Sequence, residues 1–269
     1  MRILFIADMV GDDAIDLVLD LLPQIRNQYQ IDFTIANAEN ADKGKGVTQK
    51  QILRLKENKI DCLTSGNHIW NPRKKEILIE NANYLLRPLN FPDGNVGMGS
   101  AVFKVNGGHK IGVLNLQGRS FMNTIDCPFR RGEKEIRKLR SETSNIIIDF
   151  HAEASAEKQA LAWHFDGQVS AVIGTHTHVQ TADERILPKG TGYITDAGMC
   201  GPMDSVIGMD IQKAIDRFIL QTPVYYAMAK GNIWFNGVVF DIDERNGRTK
   251  NIFRLNFNKS GFRNEGKTY

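Results

Sequence analysis

Three short apolar runs, separated by stretches with helical periodicity, constrain the fold of this chain more than any other feature. The runs span residues 2–7, 33–38 and 60–64, and their length and continuity are typical of strands buried on both faces. Between the first two runs, apolar residues recur at helical spacing over 15–25, where Pro23 is expected to kink or end the helix. Alternating strands and helices predict parallel βαβ units and therefore an α/β fold.

The rest of the chain predicts further strands and two hairpins. Apolar runs at 145–150 and 190–195 are typical of buried strands. Turn signals at 106–108 and 245–247 lie between strand patterns and predict the hairpins. Because the sequence has no internal repeat, low-complexity segment or linker, we expect a single domain over residues 1–269, with two sheets and helices outside them.

The first three predicted strands end in polar side chains. Asp8 follows the first run, Glu39 and Asn40 follow the second, and Asn67 and His68 follow the third. Ligands of open α/β sheets bind beyond the carboxyl ends of the strands, which meet at one edge. Packing alone does not explain why three strands each deliver oxygen or nitrogen ligands to that edge.

Histidines follow two of the later strands. His151 ends one run, and the run 169–173 leads into the segment 174–178, which carries His176 and His178. Two imidazoles at i and i+2 share one face of a strand, and they can also converge from a loop. Taken alone, the pair fits two loop histidines as well as a metal site, but the other strand ends favour a metal site.

The strand ends together offer more ligands than one metal needs. Two divalent ions suit this set of two carboxylates, two amides and three imidazoles if one carboxylate bridges them. Paired metal ions stabilise both the attacking and the leaving oxygen during in-line displacement at a phosphoryl group. Ligands without thiolate favour iron, manganese or zinc over calcium. We expect iron first, with manganese, magnesium or zinc as alternatives. An ordinary turn role is the competing interpretation for Asp8, Asn40 and Asn67. The candidate metal ligands are Asp8, Glu39, Asn40, Asn67, His151, His176 and His178.

The composition counts against several other classes of protein. The chain carries 34 basic and 31 acidic residues, and a net charge of +3 does not suggest a nucleic-acid coat or a membrane-surface binder. No apolar stretch approaches the roughly 20 residues that span a bilayer. The first apolar run reaches Asp8 too early for a signal peptide. Three widely separated cysteines predict neither a disulfide framework nor a zinc knuckle. We therefore expect a cytoplasmic protein with no membrane partner and no stable nucleic-acid complex.

The motifs and their order resemble those of the calcineurin-like metallophosphoesterases, and most of all their YmdB-like bacterial branch. Three strings look like that branch in particular: Asn37-Ala38-Glu39-Asn40, Gly66-Asn67-His68-Ile69-Trp70 and Gly198-Met199-Cys200-Gly201-Pro202-Met203-Asp204. The resemblance extends along nearly the whole chain and implies a four-layer αββα sandwich, with two mixed β-sheets flanked by helices. The sequence departs from the broader superfamily at Val10, where a histidine ligand is usual, and at Glu39, where an aspartate is usual.

The resemblance also implies a division of the ligands and a reaction. A hydroxide that bridges the metals would attack phosphorus in line, and His68 would protonate the leaving ribose oxygen as the general acid. The implied activity is that of a phosphodiesterase, which hydrolyses small 2′,3′-cyclic nucleotides, of the 2′,3′-cAMP type, to nucleoside monophosphates. The implied metal sites are Asp8, Glu39, Asn40 and His178 for one ion, and Glu39, Asn67, His151 and His176 for the other.

Two other functions stay open at this point. A phosphomonoesterase, such as a nucleotidase, uses the same metal chemistry and differs only in pocket shape. A regulatory or RNA-associated protein can use the site for binding alone, although the sequence lacks a basic stretch interleaved with aromatic residues. Lys43 and Lys45 either reach a phosphate or belong to a solvated loop, and Asp196 and Gly198 can flank the site without chemistry. The sequence leaves open whether copies of the chain form a homo-oligomer.

Overall fold

Two mixed β-sheets lie at the centre of the computed structural model, which describes residues 1–70, 75–225 and 227–265. The strands are β1 (Arg2–Ile6), β2 (Asp8–Met9), β3 (Phe33–Asn37), β4 (Cys62–Thr64), β5 (Ser100–Lys104), β6 (Lys110–Gln117), β7 (Ile146–His151), β8 (Ala171–Thr175), β9 (Arg185–Ile186), β10 (Gly192–Ile194), β11 (Met199–Pro202), β12 (Ile233–Ile242) and β13 (Thr249–Asn258). The helices are α1 (Asp12–Gln28), α2 (Gln49–Glu57), α3 (Lys75–Glu80), α4 (Pro128–Leu139), α5 (Ser155–His164), α6 (Ile211–Leu220) and α7 (Lys259–Glu265).

The first sheet has the strand order β2-β11-β12-β1-β3-β4, and β13 pairs with β12. Strand β1 is parallel to β3 and antiparallel to β12, and β3 is parallel to β4. The crossovers from β1 to β3 and from β3 to β4 contain α1 and α2, as parallel pairing requires. The carboxyl ends of β1, β3 and β4 therefore lie at one edge.

The second sheet has the order β5-β6-β7-β8-β10-β9. Its central strands β6, β7, β8 and β10 are parallel, whereas β5 and β9 are antiparallel edge strands. Helices α4 and α5 connect β6 to β7 and β7 to β8. This sheet therefore repeats the arrangement of the first, with helical crossovers behind parallel strands whose carboxyl ends meet.

Buried apolar side chains form three clusters that follow the two faces of each sheet. Alternate residues of β1 point to opposite faces, so Ile3 and Phe5 belong to one cluster and Leu4 and Ile6 to another. The cluster of Phe5 also contains side chains from β7 and β8, and it fills the space between the sheets. The other two clusters join α1 and α2 to the first sheet, and α4 and α5 to the second.

Most of the predicted elements are confirmed. The chain is a mixed α/β protein with two mixed sheets, and both hairpins form, as β5–β6 and β12–β13. Strand β11 was not predicted, because Met199-Cys200-Gly201-Pro202 lacks strand periodicity and is held by pairing with β2 and β12. None of the described helices is both long and apolar enough to cross a bilayer.

The sequence predicts that Pro23 kinks or ends the first helix. Pro23 does not end it, since α1 continues to Gln28. Pro23 lies on the exposed face, and Leu22 and Ile25 beside it are buried. Packing of that apolar face stabilises the helix past the one missing backbone donor. In the sequence, Asn71 followed by Pro72 is typical of a helix start, with an N-cap residue and proline at the first helical position, but both residues lie outside the described part of the chain.

Candidate metal centre

The ends of five strands bring the predicted polar residues together between the two sheets. Asp8 follows β1, Glu39 and Asn40 follow β3, and Asn67 and His68 form a short 3-10 turn after β4. From the second sheet, His151 ends β7, and His176 and His178 follow β8. All eight predicted site residues therefore lie in one cluster, with hydrogen-bonding contacts that run from one sheet to the other.

One group of contacts is centred on Asn40. Its amide nitrogen Nδ2 lies 3.3 Å from Asp8 Oδ1, 3.2 Å from Glu39 Oε1 and 3.0 Å from His178 Nε2. Asp8, Glu39 and Asn40 are buried. An amide can present its oxygen instead of its nitrogen by a half-turn about its last side-chain bond, so Asn40 can offer an oxygen ligand at the same point.

A second group of contacts is centred on His151. Its Nε2 lies 2.9 Å from Glu39 Oε1, 3.2 Å from Asn67 Oδ1 and 3.0 Å from His176 Nδ1. The ligand atoms of Glu39, His151 and His176 all lie within 4.8 Å of one another. Glu39 belongs to both groups, which makes its carboxylate the link between them.

The outer nitrogen of His151 is held by a hydrogen-bonded relay. The Thr175 hydroxyl donates to Asp149 Oδ1 at 2.7 Å, so it accepts at 2.9 Å from His151 Nδ1. The relay fixes the proton on Nδ1 and leaves the lone pair of Nε2 directed into the cluster. Asp149 also accepts hydrogen bonds from Thr64 and Asn37 of the first sheet. This one buried carboxylate therefore joins the two sheets behind the site.

The other two histidines are oriented in the same way. His176 Nε2 lies 3.0 Å from Glu153 Oε2, and His178 Nδ1 donates to the carbonyl oxygen of Ile207 at 2.8 Å. Their other nitrogens, Nδ1 of His176 and Nε2 of His178, face the cluster. Three imidazoles with outer nitrogens engaged and inner lone pairs converging on carboxylate and amide groups fit a transition-metal site.

The charges in the cluster favour a bound cation. Burial raises the pKa of Asp8 to about 7, although His178 and His151 oppose this effect. Burial also acts to raise the pKa of Glu39, but the neighbouring His151 and His68 together outweigh it and lower that pKa to about 2. For His151 burial acts to lower the pKa, and Glu39 raises it to about 9. The point between Glu39 and His151 therefore attracts positive charge, whether a proton or a metal ion.

The loop that carries His176 and His178 has an unusual backbone. Both residues have positive φ angles, 104° and 64°, which cost energy for residues other than glycine. Asp8 Oδ2 accepts from the His176 amide at 3.2 Å, and Asp196 Oδ2 accepts from the Thr177 amide at 3.0 Å. Asp196 is itself paired with Lys158 at 2.6 Å, and both side chains are fully buried. These carboxylates hold the strained loop in place.

His68 stands beside the two groups of contacts. Its Nδ1 is 3.0 Å from Asn40 Oδ1, and its backbone amide donates to Glu39 Oε2 at 3.2 Å. Burial is the main cause that lowers the pKa of His68, and Glu39 acts against it. The preceding Gly66 has no room for a side chain, since a Cβ there would overlap Glu39 and His151. The turn can therefore approach the cluster closely only with glycine at this position.

A cavity of about 1020 Å³ opens above the cluster. Glu39, Asn40 and His68 line its deep side, together with His176 and His178. The more exposed part of the lining, which we call the outer side, is formed by the end of α6 and the segment that follows it, with Arg217, Gln221, Thr222, Pro223, Val224 and Tyr225. Ile207 and Met209, from the loop before α6, also line the cavity, and Ile207 is in contact with His178. The cavity is large enough for a nucleotide-sized ligand.

Several residues that shape the site were not predicted as part of it. Asp149, Thr175 and Lys158 hold the histidines from behind, and Glu153 binds the outer nitrogen of His176. Asp149 does have a signal in the sequence, since it is the one charged residue within the apolar run 145–150. Lys158 has none, because a lysine on a helix normally lies in water.

Comparison with known proteins gives relatives that align along almost the whole chain. A Bacillus subtilis protein described as 2′,3′-cyclic-nucleotide 2′-phosphodiesterase is 48% identical over 96% of this chain and 97% of its own length. A Thermus thermophilus crystal structure of a hypothetical protein has a TM-score of 0.89 at 36% identity, covering 96% of this chain and 99% of that one. A Mycoplasma pneumoniae structure described as a novel phosphatase has a TM-score of 0.89 at 35% identity, with 98% and 96% covered.

The fold, the polar cluster and these relatives define the class first: the chain is a hydrolytic enzyme. The model of the family described as YmdB-like protein matches residues 4–255. The chain belongs to the YmdB-like family, and the resemblance noted from its motifs is confirmed.

Proposed function

We propose that the chain is a metal-dependent phosphodiesterase that hydrolyses 2′,3′-cyclic nucleotides to nucleoside monophosphates. The observation that carries the proposal is the arrangement of the candidate ligands in two groups that share Glu39. Two adjacent cation sites with one bridging carboxylate are the arrangement used for in-line phosphoryl displacement. The B. subtilis relative supports the choice of substrate, since it is similar along 97% of its own length and its description names that activity.

We assign the candidate ligands to two metal ions, with iron expected first and manganese, magnesium or zinc as alternatives. When bound, the two ions lower the pKa of water towards neutrality and neutralise charge that develops on the phosphate. The mixture of oxygen and nitrogen donors suits these metals, and no thiolate is needed. One site comprises Asp8, Glu39, Asn40 and His178, and the other comprises Glu39, Asn67, His151 and His176, as the two groups of contacts support.

His68 is assigned as the general acid that protonates the leaving ribose oxygen. Its Nδ1 is held by Asn40, so proton transfer to substrate is assigned to Nε2. The ring is 38% exposed and lines the cavity, so it can reach a bound ester. General-acid catalysis contributes about 10²–10⁴-fold, so His68→Ala should lose turnover on that scale and keep its metal content.

The four-layer order of helix, sheet, sheet and helix is part of the same proposal. The three apolar clusters support it, since one fills the space between the sheets and two join helices to their outer faces. This order leaves the strand ends of both sheets facing the same cavity, where the candidate ligands lie.

The test is elemental analysis of freshly purified protein, followed by turnover assays on a substrate panel. The panel compares 2′,3′-cAMP with 5′-AMP and with p-nitrophenyl phosphate esters, each before and after chelation. We expect two metal ions per chain, hydrolysis of the cyclic diester well above the monoester, and loss of turnover on metal removal. Preference for 5′-AMP would instead make the chain a nucleotidase. Binding of phosphate without turnover of any ester would make it a binding protein.

A further inference from the structure

We propose that Lys45 binds the phosphate group of the substrate in the cavity above the candidate metal ligands. The inference rests on the proposed function, because it assigns the residue that recognises the phosphodiester anion at the same site. Lys45 belongs to the glycine-rich loop 42–47, which the metal chemistry leaves without a role.

The loop is attached directly to the backbone of two candidate metal ligands. The amide of Gly44 donates to the carbonyl oxygen of Asn40 at 3.0 Å, and the amide of Gly46 donates to that of Glu39. Both glycines have positive φ angles, 81° and 75°, which make this tight path possible. The position of the backbone at Lys45 is therefore fixed relative to the candidate ligands.

The Lys45 side chain is exposed and borders the cavity. It lines the cavity together with Glu39, Asn40 and His68. Among the residues that the structure describes, no carboxylate forms an ion pair with Lys45. Its charge is therefore available to an anion in the cavity.

The chemistry of the ligand follows from this position. A lysine ammonium is a compact charge with three donors, which suits a phosphate oxygen without requiring one fixed orientation. The phosphorus of the substrate must lie at the candidate ligands, so the ammonium group of Lys45 contacts the same phosphate. The base then lies against the outer side of the cavity. Lys45 thus selects for an anionic ester and acts mainly on binding.

Lys43 provides a matched control in the same loop. It lies two residues from Lys45, is exposed in the same way, and does not line the cavity. Lys45→Gln and Lys43→Gln remove the same charge from the same loop. A general effect of net charge would change both variants equally, whereas a contact with substrate would change only Lys45→Gln.

The experiment measures KM and kcat for 2′,3′-cAMP in the metal-loaded wild type and in both variants, at low and high salt. A charge-assisted hydrogen bond at an open site predicts about a tenfold rise in KM for Lys45→Gln, with kcat nearly unchanged. The KM of that variant should also depend less on salt. Lys43→Gln should match the wild type, and Lys45→Arg should recover most of the affinity. Equal KM values for the two glutamine variants would overturn the proposal.

Calorimetric titration with inorganic phosphate supplies a readout that does not need turnover. Phosphate should bind about tenfold more weakly to Lys45→Gln than to Lys43→Gln, and equal binding would count against Lys45. Failure of the wild type to hydrolyse 2′,3′-cAMP would remove the proposed function but would leave this phosphate comparison to decide the role of Lys45. The two failures are therefore distinguishable.

Discussion

The deep side and the outer side of the cavity are built in different ways. We call the buried residues Asp8, Glu39, Asn40 and His151 the floor, and Arg217, Gln221 and Tyr225 the rim. Every floor residue is at most 3% exposed, whereas the three rim residues are exposed, Tyr225 to 92%. The floor is held from behind by hydrogen bonds from both sheets, and the rim consists of loop and helix-end residues. The difference indicates that the floor fixes the chemistry and the rim adapts to the substrate.

The two regions also differ in what holds them in place. Buried charges hold the floor and the loop beside it. Asp149 orients His151 through Thr175, and the pair of Lys158 and Asp196 holds the loop that carries His176 and His178. The rim includes Arg217 near the end of α6, where the neighbouring side chains Phe218 and Ile219 are 70% and 72% exposed. A change to the floor should therefore affect metal binding or folding, and a change to the rim should affect KM alone.

The largest effect is expected at Glu39, which belongs to both groups of candidate ligands. Glu39→Gln keeps the shape of the side chain and removes the charge, so both cation sites should weaken. We expect kcat/KM to fall about a thousandfold or more, since a metal ion contributes several kcal/mol of transition-state stabilisation. Elemental analysis should find less metal. Glu80→Gln, an exposed residue of α3, serves as the control and should leave both values unchanged.

The next largest effect is expected on folding, at the pair behind the strained loop. Lys158→Met would leave Asp196 buried without its partner, which should cost about 3 kcal/mol of unfolding free energy. For a chain of this size Tm should fall by about 6 °C or more. Lys134→Met, on the exposed face of α4, should change the unfolding free energy by less than about 0.5 kcal/mol. Similar melting curves for both variants would contradict a supporting role for this pair.

A smaller effect, on metal affinity, is expected at Asp149. Asparagine can accept from only one of the two hydroxyl groups of Thr64 and Thr175, so the relay to His151 would lose its orientation. Loss of such a supporting group typically costs about 10–100-fold in metal affinity. Competition with a metal-sensitive chelator measures this loss, and Thr175→Val should reproduce most of it. Unchanged affinity in Asp149→Asn would mean that the relay does not orient His151.

The floor could be predicted from the sequence, because its residues follow directly after strands. Once β1, β3 and β4 are parallel, Asp8, Glu39 and Asn67 must lie at the same edge. The apolar runs made those strands evident. The sheets themselves were predicted for the same reason, and so were the two hairpins, whose turn residues are specific.

The supporting residues and the rim could not be predicted in the same way. Asp149 contacts Asn37 and Thr64 across two sheets, and no local pattern indicates which face of one sheet meets the other. The backbone of His176 has a positive φ although neither His176 nor the residues directly before and after it are glycine, so the sequence gives no sign of this conformation. The position of the rim depends on where α6 packs. The periodicity of a short amphipathic helix shows which of its faces is apolar, but not which element that face packs against.

The smallest effect is expected on the rim, at Tyr225. Its ring lines the cavity and is 92% exposed, so it can stack on a base without a structural role. Stacking at such an exposed position is worth about 1 kcal/mol, so Tyr225→Ala should raise KM for 2′,3′-cAMP about fivefold. Metal content, kcat and Tm should not change, and Tyr225→Phe should keep the low KM. Phe121→Ala removes a ring that is 91% exposed and lies outside the cavity, and should have no effect on KM. If Tyr225→Ala instead reduced metal content, the rim would not be independent of the floor, and the division between the two regions would fail.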